Sequence, residues 1–154
     1  MDTSDSFLCG YLTIHNLTES YPNLTTFFEA EIIGSKYSFI TGKWGANLDA
    51  DHKHWEQFPY FKENCLSYLY SPSSSVYSND THNVVFMRWK ERFLVPDHRI
   101  EQLSGASYAG FYYVAYDRSS KVIEGYYYHQ ATNEFQRLFL QHVPSKVSAS
   151  FEFR

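Results

Sequence analysis

The sequence predicts an all-β protein, and three observations lead to this prediction. Its 154 residues are the usual size of one domain, so we expect a single domain over residues 1–154. Aromatic side chains make up 19% of the chain, which excludes intrinsic disorder over most of its length. Apolar residues recur with a period of two in segments rich in aromatic and β-branched residues. Such segments, separated by turn residues, are typical of an antiparallel sandwich or an up-and-down barrel.

Seven segments along the chain have the alternation expected of strands. They are Phe7–Ile14, Thr25–Ile33, Val84–Val95, Ala109–Asp117, Val122–His129, Phe135–Val143 and Ser148–Phe153. The short polar connection Asp117 to Lys121 predicts a β-hairpin between the fourth and fifth segments. If the sheet closes as a barrel of about eight strands, its interior is wide enough for one small ligand.

The connections between these strands contain little predicted helix. We expect one helix, over Leu48–Gln57, with Trp55 turned inward and Pro59 soon ending it. Residues 66–83 contain a Ser-Pro-Ser-Ser-Ser tract and are predicted to be a mobile insertion. Residues 148–154 are expected to form a C-terminal tail or a last strand.

Charge and targeting signals restrict the class of protein. The formal net charge is −4, so a nucleic acid partner is not expected. No apolar run approaches the roughly 20 residues of a membrane span. The polar start of the chain predicts no signal peptide, so we expect a cytoplasmic or nuclear protein. Cys9 and Cys65 form no redox or metal motif, and we expect two buried free thiols, with a disulfide as the alternative.

The sequence contains only one cluster that resembles a metal site. It consists of Asp49, Asp51, His52 and His54. The two histidines are two residues apart, so they point to different sides of a helix, whereas helical metal ligands are three or four residues apart. The acidic residues are better explained by a favourable position at a helix N-terminus. We therefore predict no metal and no cofactor.

Signatures of catalysis are also absent from the sequence. It contains no Gly-rich phosphate loop, no Gly-x-Ser-x-Gly elbow and no CxxC pair. Glu91, Glu124 and Glu152 are candidates for a hydrolytic carboxylate pair, but nothing in the sequence brings two of them together. We therefore do not expect an enzyme.

Two groups of residues are candidates for a binding site. In the third strand, alternation places Arg88 and Lys90 on one face and Met87, Trp89, Glu91 and Phe93 on the other. A carboxylate among apolar side chains is costly or protonated when it is buried alone, although a salt bridge or exposure at the strand end would also explain Glu91. Alternation also turns Tyr112 and Tyr127 away from their neighbouring aromatic residues. From composition alone, both packing and ligand contact remain open for these tyrosines.

Short motifs throughout the chain resemble one known family. They are Leu8-Cys-Gly-Tyr-Leu, Leu17-Thr-Glu, Tyr21-Pro, Leu24-Thr-Thr-Phe-Phe-Glu, Lys53-His-Trp, Phe86-Met-Arg-Trp-Lys-Glu, Gly105-Ala-Ser, Gly110-Phe-Tyr-Tyr, Glu124-Gly-Tyr-Tyr-Tyr-His and Phe151-Glu-Phe. The family consists of the substrate receptors of the GID/CTLH E3 ubiquitin ligase, also described as vacuolar import and degradation receptors. The resemblance extends from about Phe7 to the C-terminus.

This resemblance implies a fold and a function. The implied fold is an antiparallel up-and-down β-barrel of about eight strands. Family barrels usually have another strand upstream of Leu8-Cys-Gly-Tyr-Leu, and the expectation here is a barrel without it. The function is that of a non-catalytic receptor that binds the free N-terminal proline of target proteins, the Pro/N-degron. The multisubunit ligase then ubiquitinates these proteins for proteasomal degradation. A lipocalin-like carrier of a small apolar molecule is the alternative function, because it would also explain the aromatic content.

The resemblance also assigns roles to individual residues. Glu91 and Tyr112 are expected to hold the N-terminal amine. The remaining assignments are Ser107, Tyr108, Tyr127 and Gln136 for the pocket and the peptide backbone; Ile14, Leu17, Leu24 and Thr26 for an apolar loop wall; and Phe151, Phe153 and Arg154 for docking to a helical-repeat scaffold subunit. Position 108 is Tyr where some relatives have Phe.

Overall fold

A computed structural model confirms the all-β prediction. It describes residues 6–15, 23–71, 76–94, 110–130, 136–143 and 150–153. Seven strands form one sheet: β1 (Phe7–His15), β2 (Asn23–Ile32), β3 (Val84–Leu94), β4 (Phe111–Asp117), β5 (Val122–Tyr128), β6 (Gln136–Val143) and β7 (Ser150–Phe153).

The sheet has the up-and-down topology of a barrel and not the two sheets of a sandwich. Each strand pairs antiparallel with the next one along the chain, in the order β1 to β7. The sheet curls until Cα atoms of β1 and β7 approach within 8 Å. The predicted hairpin is confirmed, because Asp117 pairs with Val122 across a short turn.

Three short helices connect β2 to β3, where the sequence predicted only one. They are α1 (Leu48–Trp55), α2 (Pro59–Asn64) and α3 (Ser67–Tyr70). Pro59 does end α1, but it also begins α2. Proline is tolerated in the first turn of a helix because its missing N–H would have no intrahelical partner there.

The prediction of a mobile insertion over residues 66–83 is wrong for much of that segment. Leu69 on α3 and Tyr77 after it are each only 2% exposed, and the Tyr77 hydroxyl donates a hydrogen bond to the Val84 carbonyl. Both side chains belong to a hydrophobic cluster that also contains Phe39. The Ser-rich tract is polar, but the apolar residues on either side of it are needed to cover this cluster.

The two faces of the sheet have different coverings. The outer face packs against the helices through a cluster that includes Trp55, Phe61, Phe86 and Tyr113. The inner face, which lines the curl, buries a second cluster contributed by the strands alone: Leu12, Phe28, Ala30, Ile32, Val85, Met87, Trp89, Tyr112, Val114, Ile123, Tyr127, Leu138 and Leu140.

Asp51 joins α1 to the outer face and is fully buried, in the first turn of the helix, where the sequence predicted the acidic residues. Its carboxylate accepts hydrogen bonds from the Thr41 N–H at 2.9 Å and from the Tyr113 hydroxyl at 2.8 Å. Burial raises the pKa of Asp51, while these hydrogen bonds act in the opposite direction. Asp51 is thus a structural residue. Within the described ranges, no group of three His, Cys, Asp or Glu side chains has the arrangement of a metal site.

Both cysteines are free thiols, as expected, but only one of them is buried. Cys65 lies in the cluster under the helices, where burial raises its pKa to about 12. Cys9 is exposed, which contradicts the expectation that both would be buried. None of the described helices is long and apolar enough to cross a bilayer.

Replacing Asp51 by alanine is expected to destabilise the protein by about 3 kcal/mol, because the Thr41 N–H and the Tyr113 hydroxyl would remain buried without an acceptor. Asp49→Ala is the matched control on the same helix. Asp49 is exposed and forms an ion pair with Lys53 on the helix surface, so its loss should cost less than about 1 kcal/mol. Urea denaturation measures both values, and equal losses would contradict the structural role of Asp51.

Candidate functional site

The antiparallel register brings four polar side chains to one end of the inner face. This end is where β1 leads into β2, β3 into β4, and β5 into β6. Thr26, Glu91, Tyr112 and Tyr127 lie here, and we call them the Glu91 cluster. All four are at most 7% exposed. They come from four consecutive strands, β2 to β5, so only the folded sheet brings them together.

Glu91 is the residue around which this cluster is organised. Its carboxyl group is 2% exposed, and one oxygen, Oε2, accepts a short hydrogen bond from the Thr26 hydroxyl. The other oxygen, Oε1, is buried and has no hydrogen-bond partner among the described residues. Burial raises the pKa of Glu91, while the Thr26 hydrogen bond and the nearby Lys90 charge lower it. The salt-bridge and strand-end explanations of Glu91 therefore do not account for its inward position.

A β-bulge separates Glu91 from the residue predicted to share its face. Phe27 pairs with Phe93 and Phe28 pairs with Glu91, so Arg92 is the extra residue in β3. Because side chains alternate along a strand, this insertion turns Phe93 to the outer face. There it is half exposed and stacks on Phe27 at 4.8 Å between ring centroids. The prediction that Phe93 lies beside Glu91 is wrong for this reason.

The two tyrosines of the cluster lie on the inner face, and both face away from their aromatic neighbours, as alternation predicted. Tyr112 and Tyr127 are cross-strand partners with ring centroids 5.2 Å apart. Burial, and then the nearby Glu91 charge, raises the pKa of Tyr112. Burial is also the main cause that raises the pKa of Tyr127. Both phenols are therefore neutral at physiological pH and can donate or accept hydrogen bonds.

Gly110, which immediately precedes β4, lies in close contact with Tyr127. Its N–H donates to the Tyr127 hydroxyl oxygen at 2.8 Å. A Cβ at residue 110 would lie 1.9 Å from the Tyr128 carbonyl oxygen, so only glycine fits here. The sequence did not indicate which side chain would receive the glycine N–H.

The arrangement suits a small cation that carries N–H donors. A buried carboxylate attracts such a cation more strongly than a solvated one does, because the local dielectric constant is low. The neutral phenols add hydrogen-bonding groups without a competing charge. On the same face, Trp89 stacks on Phe28 with ring centroids 4.2 Å apart, and the two rings provide an apolar surface.

The same geometry argues against a hydrolytic pair formed by Glu91 and Glu124. Glu124 lies on the opposite face of the sheet, where it forms an ion pair with Arg137 at 3.1 Å. The side chain of Glu152 lies outside the described part of the chain.

The structure locates the other predicted site residues unevenly. Thr26 is part of the Glu91 cluster and bonds its carboxylate, a polar role that the expected apolar loop wall did not include. Gln136 is exposed at the first position of β6, paired with Tyr127. Ile14 and Leu24 pair with each other at the same end of the sheet, but their side chains lie outside the description.

The remaining predicted residues are outside the described ranges, in whole or in part. Leu17, Ser107, Tyr108 and Arg154 are outside them completely. The backbones of Phe151 and Phe153 belong to β7, where they pair with His142 and Leu140, but their side chains are not described.

Comparisons with known proteins agree with the motifs in the sequence. The family described as "Vacuolar import and degradation protein" matches residues 1–143. A mouse (Mus musculus) protein named "Glucose-induced degradation protein 4 homolog" is 51% identical over 154 residues, which is 100% of this chain and 70% of the mouse protein. Two yeast proteins, both named "GID complex substrate-recognition subunit 4", are more distant. The Schizosaccharomyces pombe protein is 34% identical over 92% of this chain and 75% of its own length. For the Saccharomyces cerevisiae protein the identity is 32%, over 95% of this chain and 55% of its own length.

Substituting Thr26 by valine is expected to raise the pKa of the Glu91 carboxyl group further, because the lost hydrogen bond favours the ionised form. Thr25→Val is the matched control, since Thr25 bonds Thr13 instead. Carbon-13 NMR titration of glutamate-labelled protein measures the shift, with Glu91→Gln to assign the resonance. If Glu91 titrates at the same pH in the wild-type protein, in Thr26→Val and in Thr25→Val, this assignment of the hydrogen bond is wrong.

Proposed function

The chain belongs to the vacuolar import and degradation protein family, and on this premise we propose that it is the substrate receptor of a GID-type E3 ubiquitin ligase that binds the free N-terminal proline of its targets. It performs no chemistry itself and presents the bound protein for ubiquitination and proteasomal degradation. The relatives named as substrate-recognition subunits of the GID complex support the receptor role. The observation that carries the choice of ligand is the buried Glu91 Oε1, without a partner in the described part of the chain.

An N-terminal proline satisfies this oxygen. Its nitrogen is a secondary ammonium with a positive charge and two N–H donors. One donor is directed at Glu91 Oε1, and the phenol oxygen of Tyr112 is the natural acceptor for the other. A hydrogen bond of this charge-assisted type contributes about 1.5–3 kcal/mol. This is N-terminal amine capture, a known mode of peptide recognition.

The rest of the residue favours proline over other N-termini for two reasons. The pyrrolidine ring is apolar, and the inner face beside Glu91 carries Leu12 and Trp89. The ring also restricts φ, so less conformational entropy is lost when the peptide binds. An internal proline has neither the charge nor an N–H, and it would leave the carboxylate buried without compensation.

The same carboxylate decides against the lipocalin-like alternative. An apolar molecule in the curl would offer no donor to Glu91, and the cost of the buried carboxyl group would remain. A peptide N-terminus supplies both the charge and the donors.

Assembly and location complete the proposal. The C-terminal residues Phe151, Phe153 and Arg154 dock to a helical-repeat scaffold subunit of the ligase. The complex operates in the cytoplasm or the nucleus, where its substrates and the proteasome are found. The cytoplasmic or nuclear location rests on the sequence alone.

A peptide with a free N-terminal proline is expected to bind with a dissociation constant in the micromolar range, about −8 kcal/mol. The same peptide with an acetylated N-terminus should bind at least about 100-fold more weakly, because acetylation removes the charge and both N–H donors. Isothermal titration calorimetry compares the two. Equal affinities would exclude amine capture.

Glu91→Gln is expected to weaken binding of the free-proline peptide about 100-fold, since a neutral amide replaces the ionised acceptor. Glu124→Gln is the control on the outer face and should change the affinity less than about twofold. Thermal unfolding verifies that both variants fold. If Glu124→Gln weakens binding more than Glu91→Gln, the choice of carboxylate is wrong.

A further inference from the structure

Lys90 precedes Glu91 on β3 and lies on the opposite side of the sheet, outside the proposed pocket. We propose that Lys90 is a positioning residue for capture of the N-terminal amine. Its hydrogen bond fixes Gly110, which contacts Tyr127, and its side chain keeps a positive charge near the Glu91 carboxylate. This inference rests on the proposed function, because it assigns a residue to the same site.

The first argument is a chain of two hydrogen bonds across three strands. Lys90 Nζ on β3 donates to the Gly110 carbonyl oxygen at 2.9 Å. The N–H of the same glycine donates to the Tyr127 hydroxyl oxygen on β5 at 2.8 Å. Gly110 immediately precedes β4. Lys90 on the outer side of the sheet and Tyr127 on the inner side therefore fix the position of the backbone where β4 begins.

The second argument is the closeness of this contact. A Cβ on residue 110 would lie 2.9 Å from both Cζ and Oη of Tyr127, as well as 1.9 Å from the Tyr128 carbonyl oxygen. A small displacement of Gly110 therefore moves the Tyr127 hydroxyl, or breaks its hydrogen bond. Because Tyr127 accepts the Gly110 N–H, its own O–H points elsewhere, and the position of that donor depends on where Lys90 holds the glycine.

The third argument is electrostatic. The positive charge of Lys90 lowers the pKa of Glu91, against the larger effect of burial. The titratable groups that face Glu91 from β4 and β5 are Tyr112 and Tyr127, and both are neutral at physiological pH. Lys90 itself has neighbours of both signs. Burial lowers the pKa of Lys90, and Arg92 on the same strand lowers it further. Glu29 is the partner of Lys90 on β2 and forms an ion pair with Arg92 at 3.3 Å.

These arguments give Lys90 two separable effects. Its hydrogen bond fixes geometry, and its charge favours the ionised form of Glu91, which is the form that binds an ammonium group. Lys90→Met removes both the charge and the donor but keeps an unbranched stem of similar length. Lys90→Arg keeps the charge and offers donors. Lys36→Met is the control, because Lys36 is exposed and lies over Tyr37.

The experiment uses the full chain and has two readouts. The first is the affinity for a peptide with a free N-terminal proline, measured as a function of pH. Lys90→Met should weaken binding at pH 7 about tenfold. It should also move the acidic loss of binding to higher pH, since Glu91 is protonated more easily without the Lys90 charge. Lys90→Arg and Lys36→Met should behave like the wild-type protein.

The second readout is the Glu91 carboxyl titration in the ligand-free chain, followed by carbon-13 NMR. Lys90→Met should shift it to higher pH and Lys90→Arg should not. An unchanged Glu91 titration in Lys90→Met overturns the assignment of Lys90. The assignment is also overturned if Lys90→Met loses affinity and thermal stability together while the pH profile of binding does not shift. A wild-type chain that binds no proline-initiated peptide would instead reject the proposed function.

Discussion

The structure depends on one carboxyl group that is buried before any ligand is bound. Glu91 has one oxygen bonded by Thr26 and a second, Oε1, that lacks a partner within the described ranges. Leaving a buried polar atom unpaired costs about 1–3 kcal/mol. Folding of the ligand-free chain must offset that cost elsewhere, and binding of a suitable cation recovers it. In the proposed function, the unpaired oxygen is therefore the source of both this cost and the affinity.

The outer face supplies the compensating stability. The helices cover it with a continuous aromatic cluster, and Asp51 links α1 to the sheet through Thr41 and Tyr113. Asp51 and Glu91 are both buried acids, but their surroundings differ. Asp51 has protein donors on both of its oxygens and is structural. Glu91 has a protein donor on only one oxygen in the described structure, and this difference is the reason why we propose a binding role for Glu91 and not for Asp51.

Much of this organisation was predictable because it follows from local periodicity. Alternation correctly separated Glu91 from Lys90, Tyr112 from Phe111 and Tyr113, and Tyr127 from Tyr126 and Tyr128, since the side chains of a strand alternate strictly. Alternation failed at Phe93, because the bulge at Arg92 is a property of the pairing between β2 and β3. The buried Tyr77 was missed for a related reason: composition indicates that a segment is polar on average, but not which of its apolar residues the core requires.

The sequence by itself predicted the strands, one hairpin, the side chains that share a face within each strand and, through its motifs, the family. These features depend on residues that are close in the chain. Only the tertiary structure decided that Thr26 bonds Glu91, that Gly110 is held between Lys90 and Tyr127, and that Glu124 lies away from the site. Thr26 and Glu91 are 65 residues apart, and such contacts depend on the register and curl of the whole sheet. The sequence supplied the carboxylate, and the fold determined which of its oxygens is left for a ligand.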